Sequence, residues 1–468
     1  MTAASATVPP HRADGDAGRA ARARVRRSSQ AVWRPAADRE SALTILQRQD
    51  ESRVPDLVPI RYGRMLVSPF AFYRGAAAVM AADLGAQPSS GLIVQLCGDA
   101  HLSNFGGFAS PDRTVVFDIN DFDETLPGPF DWDVKRLAAS IEIAGRDRGF
   151  RRTERDAAVT AAVAEYRAAM RSFAAMGRLE AWYTRLDERS LAATQVSQLP
   201  GKALARAKRS AEKARSKDHV RAFARLTTRV DGQLRIASAP PLIVAIEDLV
   251  SAADADRQES FMRALVTSYR QTLTGAARRL VDQYHYAHLA RKVVGVGSVG
   301  TRAWVILLTG RDEHDPLFLQ VKEAQPSVLE PYAGRSRFAH HGRRVVEGQW
   351  LMQASSDILL GWVKATGIDG IERDFYVRQL WDWKRSAEIE TMTGSMLAGY
   401  ARMCGWTLAH GHARSGDPTA IAAYMGRSDA FDRAITTFAT RYADQAEADF
   451  KELKGAAKAG QVEVIRGL

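Results

Sequence analysis

The sequence predicts an α/β protein of the α+β kind with two unequal lobes, and three observations lead there. From Val134 to about Ala290 apolar residues recur three and four positions apart, the period of packed helices. Near Arg291 the texture changes: KVVGVGSVGTRAWVILLTGRDEHDPLFLQVKEA reads as strand, glycine turn, strand, hairpin loop, strand. The last hundred residues return to helical spacing. A small β-rich lobe over about 288–388 is therefore expected within a large, mainly helical lobe built from about 39–287 and 389–468. A length of 468 residues suits such a two-lobed chain, although roughly 150 residues per domain would allow about three domains.

The flanks and composition narrow the class. Residues 1–38, rich in Ala, Arg, Pro and Gly, are expected to form a disordered basic tail, because they offer little apolar surface to offset ordering. The 65 Lys+Arg against 54 Asp+Glu leave a net charge of +11, a mild excess at this length that does not by itself require a polyanionic partner. Two cysteines, Cys97 and Cys404, exclude a disulfide framework and a Cys-rich zinc site. No apolar h-region precedes the basic cluster, and no run approaches the roughly 20 apolar residues of a membrane span. The expectation is a soluble, cytoplasmic protein without a membrane partner. The cationic run Lys202–Leu226 is read as one solvated helix face in preference to a phosphate-backbone site.

Along the chain, Arg64–Leu84 begins loop-like at Ser68-Pro69 and turns helical; Leu92–Leu96 and Thr114–Phe117 are strands that each end in a polar loop. RFAHHGRRVVEGQWLMQASSDILLGW reads as a helix and FYVRQLWDW as a strand. No solenoid-type repeat is present.

Two constellations carry chemistry. In Cys97-Gly98-Asp99-Ala100-His101-Leu102-Ser103-Asn104 a strand delivers an Asp, and five residues later an Asn, onto one tight loop. The next strand runs into Asp118, Asn120, Asp121 and Asp123. One Asp to orient a hydroxyl, with an Asn and a further carboxylate as hard oxygen ligands for Mg²⁺, suits phosphoryl transfer. The bland alternative is a polar turn with Asx caps. The second constellation is Gly295-Val296-Gly297-Ser298-Val299-Gly300, followed by β-formers where a dinucleotide fold would need a helix. Strand, glycine loop, strand is the arrangement that folds over ATP phosphates, and Lys322 ends the next apolar strand, where a phosphate-contacting lysine belongs. Such a lysine needs a carboxylate on the following helix; Glu347 is the first candidate and Glu330 the second.

SPFAFYRG, CGDAHLSNFGGF and FDINDFDETLPGPFDWDVKRLA resemble the bacterial domain-of-unknown-function family numbered 2252, over nearly the whole chain after the tail. That resemblance implies no activity. A wider similarity to the aminoglycoside and choline kinase-like phosphotransferases is more informative. Their catalytic loop reads H-G-D-x-H-x-x-N; here Cys97 replaces the first His, while Gly98, Asp99, His101 and Asn104 match. This similarity implies a two-lobed protein-kinase-like fold with ATP and Mg²⁺ as cofactors. It implies Asp99 and His101 as catalytic, Gly295, Gly297, Ser298, Gly300, Lys322 and Glu347 on the nucleotide, and Asn104 with Asp118 or Asp121 on the metal. Asp133, in GPFDWDVKRLA, corresponds to the buried Asp that braces the catalytic loop. The segment order departs from that family, because the glycine loop and lysine follow the catalytic loop by about two hundred residues and do not precede it. The helix YARMCGWTLAHGHARSG, which resembles the one leading into the catalytic loop, lies near the C-terminus. A circular permutation accounts for both displacements.

The expected function is transfer of a phosphoryl group from ATP to an unidentified hydroxyl-bearing acceptor, with adenylyl transfer on the same fold as an alternative. A two-metal phosphoesterase using GDAH and GHARSGD is weaker, because His410 and His412 fall in an apolar helical pattern. A non-catalytic nucleotide-binding or nucleic-acid-binding scaffold is also weaker: no compact nucleic-acid module is visible.

Overall fold

The segment FDWDVKRLAASIEIAGRD forms the helix around which the first body is organised. The structure, a computed structural model, describes residues 15–187, 223, 226–249, 264–293, 295–367, 369–380 and 385–468. Helices α1 (Gly15–Arg24), α2 (Ala42–Asp50), α3 (Val58–Met65), α4 (Pro69–Gly75) and α5 (Ala77–Gly85) lead to strands β1 (Ile93–Leu96), β2 (Phe105–Ala109), β3 (Val115–Ile119) and β4 (Leu126–Pro129). Then follow α6 (Phe130–Asp147), α7 (Arg152–Ala175) and α8 (Arg178–Tyr183). Every residue of α6 from Phe130 to Gly145 is buried. Its small residues Ala138, Ala139 and Ser140 let neighbours approach closely, and its charged ones must find internal partners, as the site below illustrates. Ser68 caps α4 by accepting the Ala71 N–H, with Pro69 at the first helical position, so the Ser-Pro signal marks a helix start.

The second body is a six-stranded antiparallel sheet. After β5 (Leu186–Asp187) and the hairpin β6 (Thr227–Val230) and β7 (Gln233–Ile236) come β8 (Ile243–Ala245), α9 (Gly275–Val281), β9 (His285–Lys292), β10 (Ala303–Thr309) and β11 (Pro316–Glu323). They are followed by α10 (Glu330–Ala333), α11 (His341–Met352), β12 (Gly361–Thr366), β13 (Glu372–Gln379) and β14 (Arg385–Ser386). The strand order is β12-β13-β11-β10-β9-β8. Both faces are covered. Ile306, Leu319 and Val377 pack on one side with Tyr269, Leu273 and Val281. Val305, Leu307 and Phe318 pack on the other with Leu226 and Ile236. Coverage on both faces explains why AWVILLT and PLFLQVKE read as unbroken apolar runs without alternation. Helices α12 (Gly394–Ser415), α13 (Pro418–Met425) and α14 (Ala430–Lys458) return to the first body, where α12 lies along α7 and α14 along α6.

Three expectations change. The tail is ordered from Gly15 onward: α1 packs on α13 so closely that a Cβ at Gly18 would lie 2.0 Å from the Ala420 carbonyl oxygen. Gln30 donates to the Tyr424 hydroxyl at 2.8 Å, and Trp33 packs edge-on against Tyr442. Two buried anchors, Ala21 and Trp33, were hidden by the surrounding arginines. The region 134–290 is not continuously helical, since β5 to β8 interrupt it and the sheet begins at Ile243, well before 288. The cationic run Lys202–Leu226 lies outside the described residues except for Phe223 and Leu226. Among the described residues no helix is long and apolar enough to cross a membrane. Cys97 and Cys404 are buried free thiols.

Candidate functional site

Strand β1 ends at Leu96 and the chain turns sharply at Gly98, whose φ of +84° suits glycine and whose missing side chain matters. A Cβ there would lie 2.3 Å from the Glu124 carbonyl oxygen, so the 97–104 and 118–125 loops touch through this glycine. Asp133, at the start of α6, braces the turn: its carboxylate accepts the Cys97 N–H at 2.8 Å and the Gly98 N–H at 3.1 Å. His412 Nε2 lies 3.3 Å from the same carboxylate, and His412 Nδ1 meets the Tyr166 hydroxyl at 2.8 Å. Asp133 thus joins the Cys97–Gly98 turn to His412.

One turn along α6, Arg136 holds Asp99. Its Nε and Nη2 approach Asp99 Oδ1 at 2.9 and 2.7 Å, Nη2 also donates to the Tyr73 carbonyl, and the guanidinium lies 4.0 Å from the Tyr73 ring centre. Asp133 and Arg136 are i and i+3 on one helix face, the spacing that would have flagged Arg136 from sequence. His101 Nε2 sits 3.6 Å from Asp99 Oδ2. Burial lowers the His101 pKa to about 3 against the pull of Asp99, so its imidazole is neutral. Asn104 commits its NH₂ to the Asp99 carbonyl at 2.8 Å, which leaves its amide oxygen as the group for a cation.

The acidic loop meets the sheet at Lys322. The Lys322 ammonium lies 2.5 Å from Asp123 Oδ2 and 3.5 Å from Asp121 Oδ1, with the Tyr376 hydroxyl donating to Asp123 Oδ1 at 2.6 Å. Burial opposes the charge on the lysine; Asp121 and Asp123 outweigh it and hold the pKa above its ordinary value. The glycine loop closes over the same carboxylate, because the Ser298 hydroxyl donates to Asp123 Oδ2 at 3.1 Å. Arg53 pins that loop through the Val299 carbonyl, the Gly300 carbonyl accepts from Val54 N–H at 2.8 Å, and Arg64 donates to the Gly295 carbonyl at 2.6 Å.

One cavity of about 130 Å³ lies here, on which Asp99, His101, Asn104, Asp121, Asp123 and Glu124 converge with Gly295–Ser298; Lys322 does not line it and lies behind Asp121 and Asp123. Arg53 and Arg74 supply its positive edge. Glu124 is half-buried on its wall, and desolvation there raises its pKa to about 7, with Arg344 opposing the effect.

Three site expectations need correction. Lys322 takes its carboxylates from the acidic loop and not from α11, where Glu347 pairs with Arg343 at 3.1 Å. The helix turns Arg344 and Gly348 toward that loop instead: Arg344 donates to the Thr125, Asp123 and Gln325 carbonyls, and a Cβ at Gly348 would meet Thr125 at 2.5 Å. Glu347 is about 100° around the helix from Gly348. Glu330 approaches His341 at 3.9 Å. Of the two expected metal carboxylates, Asp121 lines the cavity; Asp118 does not, being buried at the end of β3, where it accepts the Ile119 N–H at 2.8 Å. Burial raises its pKa to about 7, against Arg414. Gly300, finally, is spent on a turn at φ +91° against Arg53 and lies off the cavity. Asp123, Arg136, Arg53 and Arg74 were missed as site residues. His410 stacks on Trp406 and His412 is enclosed with Tyr166 and Asp133, so both belong to the helix packing.

A mixed α+β fold with a buried polar cleft between a helical body and an antiparallel sheet is the class that these features define. The profile of the family described as "Uncharacterized protein conserved in bacteria (DUF2252)" matches residues 53–456, and the chain belongs to that family. No curated protein and no solved structure matches the chain.

Proposed function

We propose that the chain is a kinase-like phosphotransferase that moves the terminal phosphoryl group of ATP, with Mg²⁺, to an acceptor hydroxyl. One observation carries this reading: Lys322 pairs with Asp121 and Asp123, and the glycine loop reaches Asp123 through Ser298, where these two carboxylates line one cavity with Asp99 and Asn104, although Lys322 and Asp123 lie 199 positions apart. The strand order around Lys322 supports it as well, with α11 inserted between β11 and β12 after a strand–glycine loop–strand unit. A circular permutation of the kinase-like order explains why the two half-sites are reversed along the chain.

Among the described residues no three acidic, His or Cys side chains gather as a metal site by themselves, so a hard cation here would have to bind together with phosphate. Asp121, Asp123 and the Asn104 amide oxygen are the oxygens that would hold Mg²⁺, and the remaining ligands would come from the nucleotide and water. The ion, when bound, would neutralise charge on the phosphates. Lys322 would exchange part of its contact with Asp123 for phosphate oxygens. Asp99, its carboxylate aimed by Arg136, would orient the acceptor hydroxyl and take its proton as the acceptor oxygen bonds to phosphorus and the bridging oxygen leaves with ADP. Neutral His101 would serve as a hydrogen-bonding support and not as a second charge.

The test is nucleotide binding with and without Mg²⁺, followed by analysis of the released nucleotide and the mass of whatever is modified. ADP release that depends on Asp99 is expected. AMP release would redirect the reading to adenylyl transfer, and no Mg²⁺-assisted nucleotide binding would overturn it.

A further inference from the structure

The motif SPFAFYRG places Arg74 at the end of α4, on the cavity wall, and the roles assigned above leave it unused. Its backbone abuts the glycine loop: a Cβ at Gly297 would lie 3.2 Å from the Arg74 carbonyl oxygen. Its side chain shares the cavity with Asp99 and His101. Arg74 therefore stands between the loop that would cover nucleotide phosphates and the carboxylate that would receive the acceptor.

The other charges at this cavity have partners inside the protein. Asp99 has Arg136, Asp121 and Asp123 have Lys322, and Glu323 has Arg302 and Arg373. Arg53 is spent on Val299 and Asp50. Among the described residues the Arg74 guanidinium has no hydrogen bond or ion pair, and its Nε is buried without a partner. Asp99 and Glu390 act on it only through space, and burial lowers its pKa despite them. A half-buried guanidinium without an internal acceptor is costly to keep unless a ligand supplies the acceptor. Planar donors at the junction of donor and acceptor sites suit the oxygens of a phosphoryl group, whose negative charge needs a counter-charge during transfer.

We infer that Arg74 forms an oxyanion subsite that binds the terminal phosphoryl group of the nucleotide. This rests on the phosphotransferase reading for the source of the anion, while the subsite itself is testable without it. The experiment titrates the full chain and its Arg74→Gln and Arg74→Lys variants with Mg·ADP and with the Mg²⁺ complex of a β,γ-imido ATP analogue. Melting curves provide the folding control, and unchanged melting is expected because Arg74 gives up no internal hydrogen bond. The unsubstituted chain should prefer the triphosphate. Arg74→Gln should lose that preference by about tenfold or more while ADP affinity stays the same, the magnitude of one or two charge-assisted hydrogen bonds. Arg74→Lys should retain part of it. An undiminished preference in Arg74→Gln would overturn the assignment, as would an equal loss for ADP. Should neither nucleotide bind the unsubstituted chain, the phosphotransferase reading fails, and pyrophosphate and orthophosphate decide the subsite. Binding that disappears in Arg74→Gln supports it, and binding that is absent or unaffected overturns it.

Discussion

Asp99 is held by Arg136 at 2.7 Å yet still faces the cavity, so its carboxylate is aimed without being consumed. Asp99→Asn keeps the shape and removes the proposed proton acceptor. We expect ADP release to fall by about 10²-fold or more, as for loss of a positioned general base, while Mg·ATP affinity changes little. Turnover at the parent rate would remove Asp99 from the mechanism. Asp118 makes the opposite case, a carboxyl whose burial decides its charge. Its pKa in the folded chain, about 7, is above that of an exposed Asp, so folding favours the protonated form. The resulting stability is fully present below about pH 4, falls as pH rises toward 7 and is absent above it. Asp118→Asn should flatten this slope and raise stability at pH 8 by about 2 kcal/mol, read as the denaturant midpoint across pH. A parent chain with equal midpoints at pH 5 and pH 8, matched by the variant, would contradict the buried, protonated Asp118. From sequence Asp118 and Asp121 were indistinguishable, because both follow one strand and only burial separates them.

Element α6 connects the residues into a unit. Asp133 ties its first turn to β1 through Cys97 and Gly98, Arg136 reaches Asp99, and Ser140 accepts the Leu102 N–H at 2.8 Å, so one helix face holds the whole 97–104 loop. Asp133→Ala would leave two buried N–H groups and His412 without their acceptor. A loss of about 3 kcal/mol is expected in denaturant unfolding, together with lost activity. A loss below about 1 kcal/mol would mean that the brace is dispensable. This element was legible because the motif quoted both its glycine stop and its Asp, and strands β1, β3, β10 and β11 were legible because apolar runs ended in polar loops. Helix α11 was legible as an element but not in its rotation. Arginine at 344 and glutamate at 347 are both polar, and periodicity does not say which of them turns inward; the carbonyls at 123, 125 and 325, which only the folded loop presents, select the arginine.

At the scale of the molecule, the two loops lie in different bodies, and nothing in the sequence places Lys322 beside Asp123; the similarity to the kinase-like family implied a shared cleft but gave the lysine Glu347 or Glu330 as its partner. The N-terminal arm was illegible for another reason. Its anchors Ala21, Gln30 and Trp33 are too sparse to rise above the basic background, and they become visible only against α13 and α14. Because the proposed cation ligands come from one body and the loop and lysine proposed to meet the phosphates come from the other, metal and nucleotide should bind as one thermodynamic unit. Coupling between two ligands is reciprocal, so Mg²⁺ should tighten ATP by the factor by which ATP tightens Mg²⁺. We expect Mg·ATP to bind about tenfold or more tightly than metal-free ATP, a coupling of about 1.4 kcal/mol. Asp121→Asn should erase that gain while leaving metal-free binding nearly unchanged. His410→Ala and His412→Ala should leave the gain intact in whatever fraction folds, since both rings sit in helix packing. Tight Mg²⁺ binding to the free chain that vanishes with those histidines would instead describe a metal hydrolase, and calorimetric titration of the three variants with and without nucleotide separates the two outcomes.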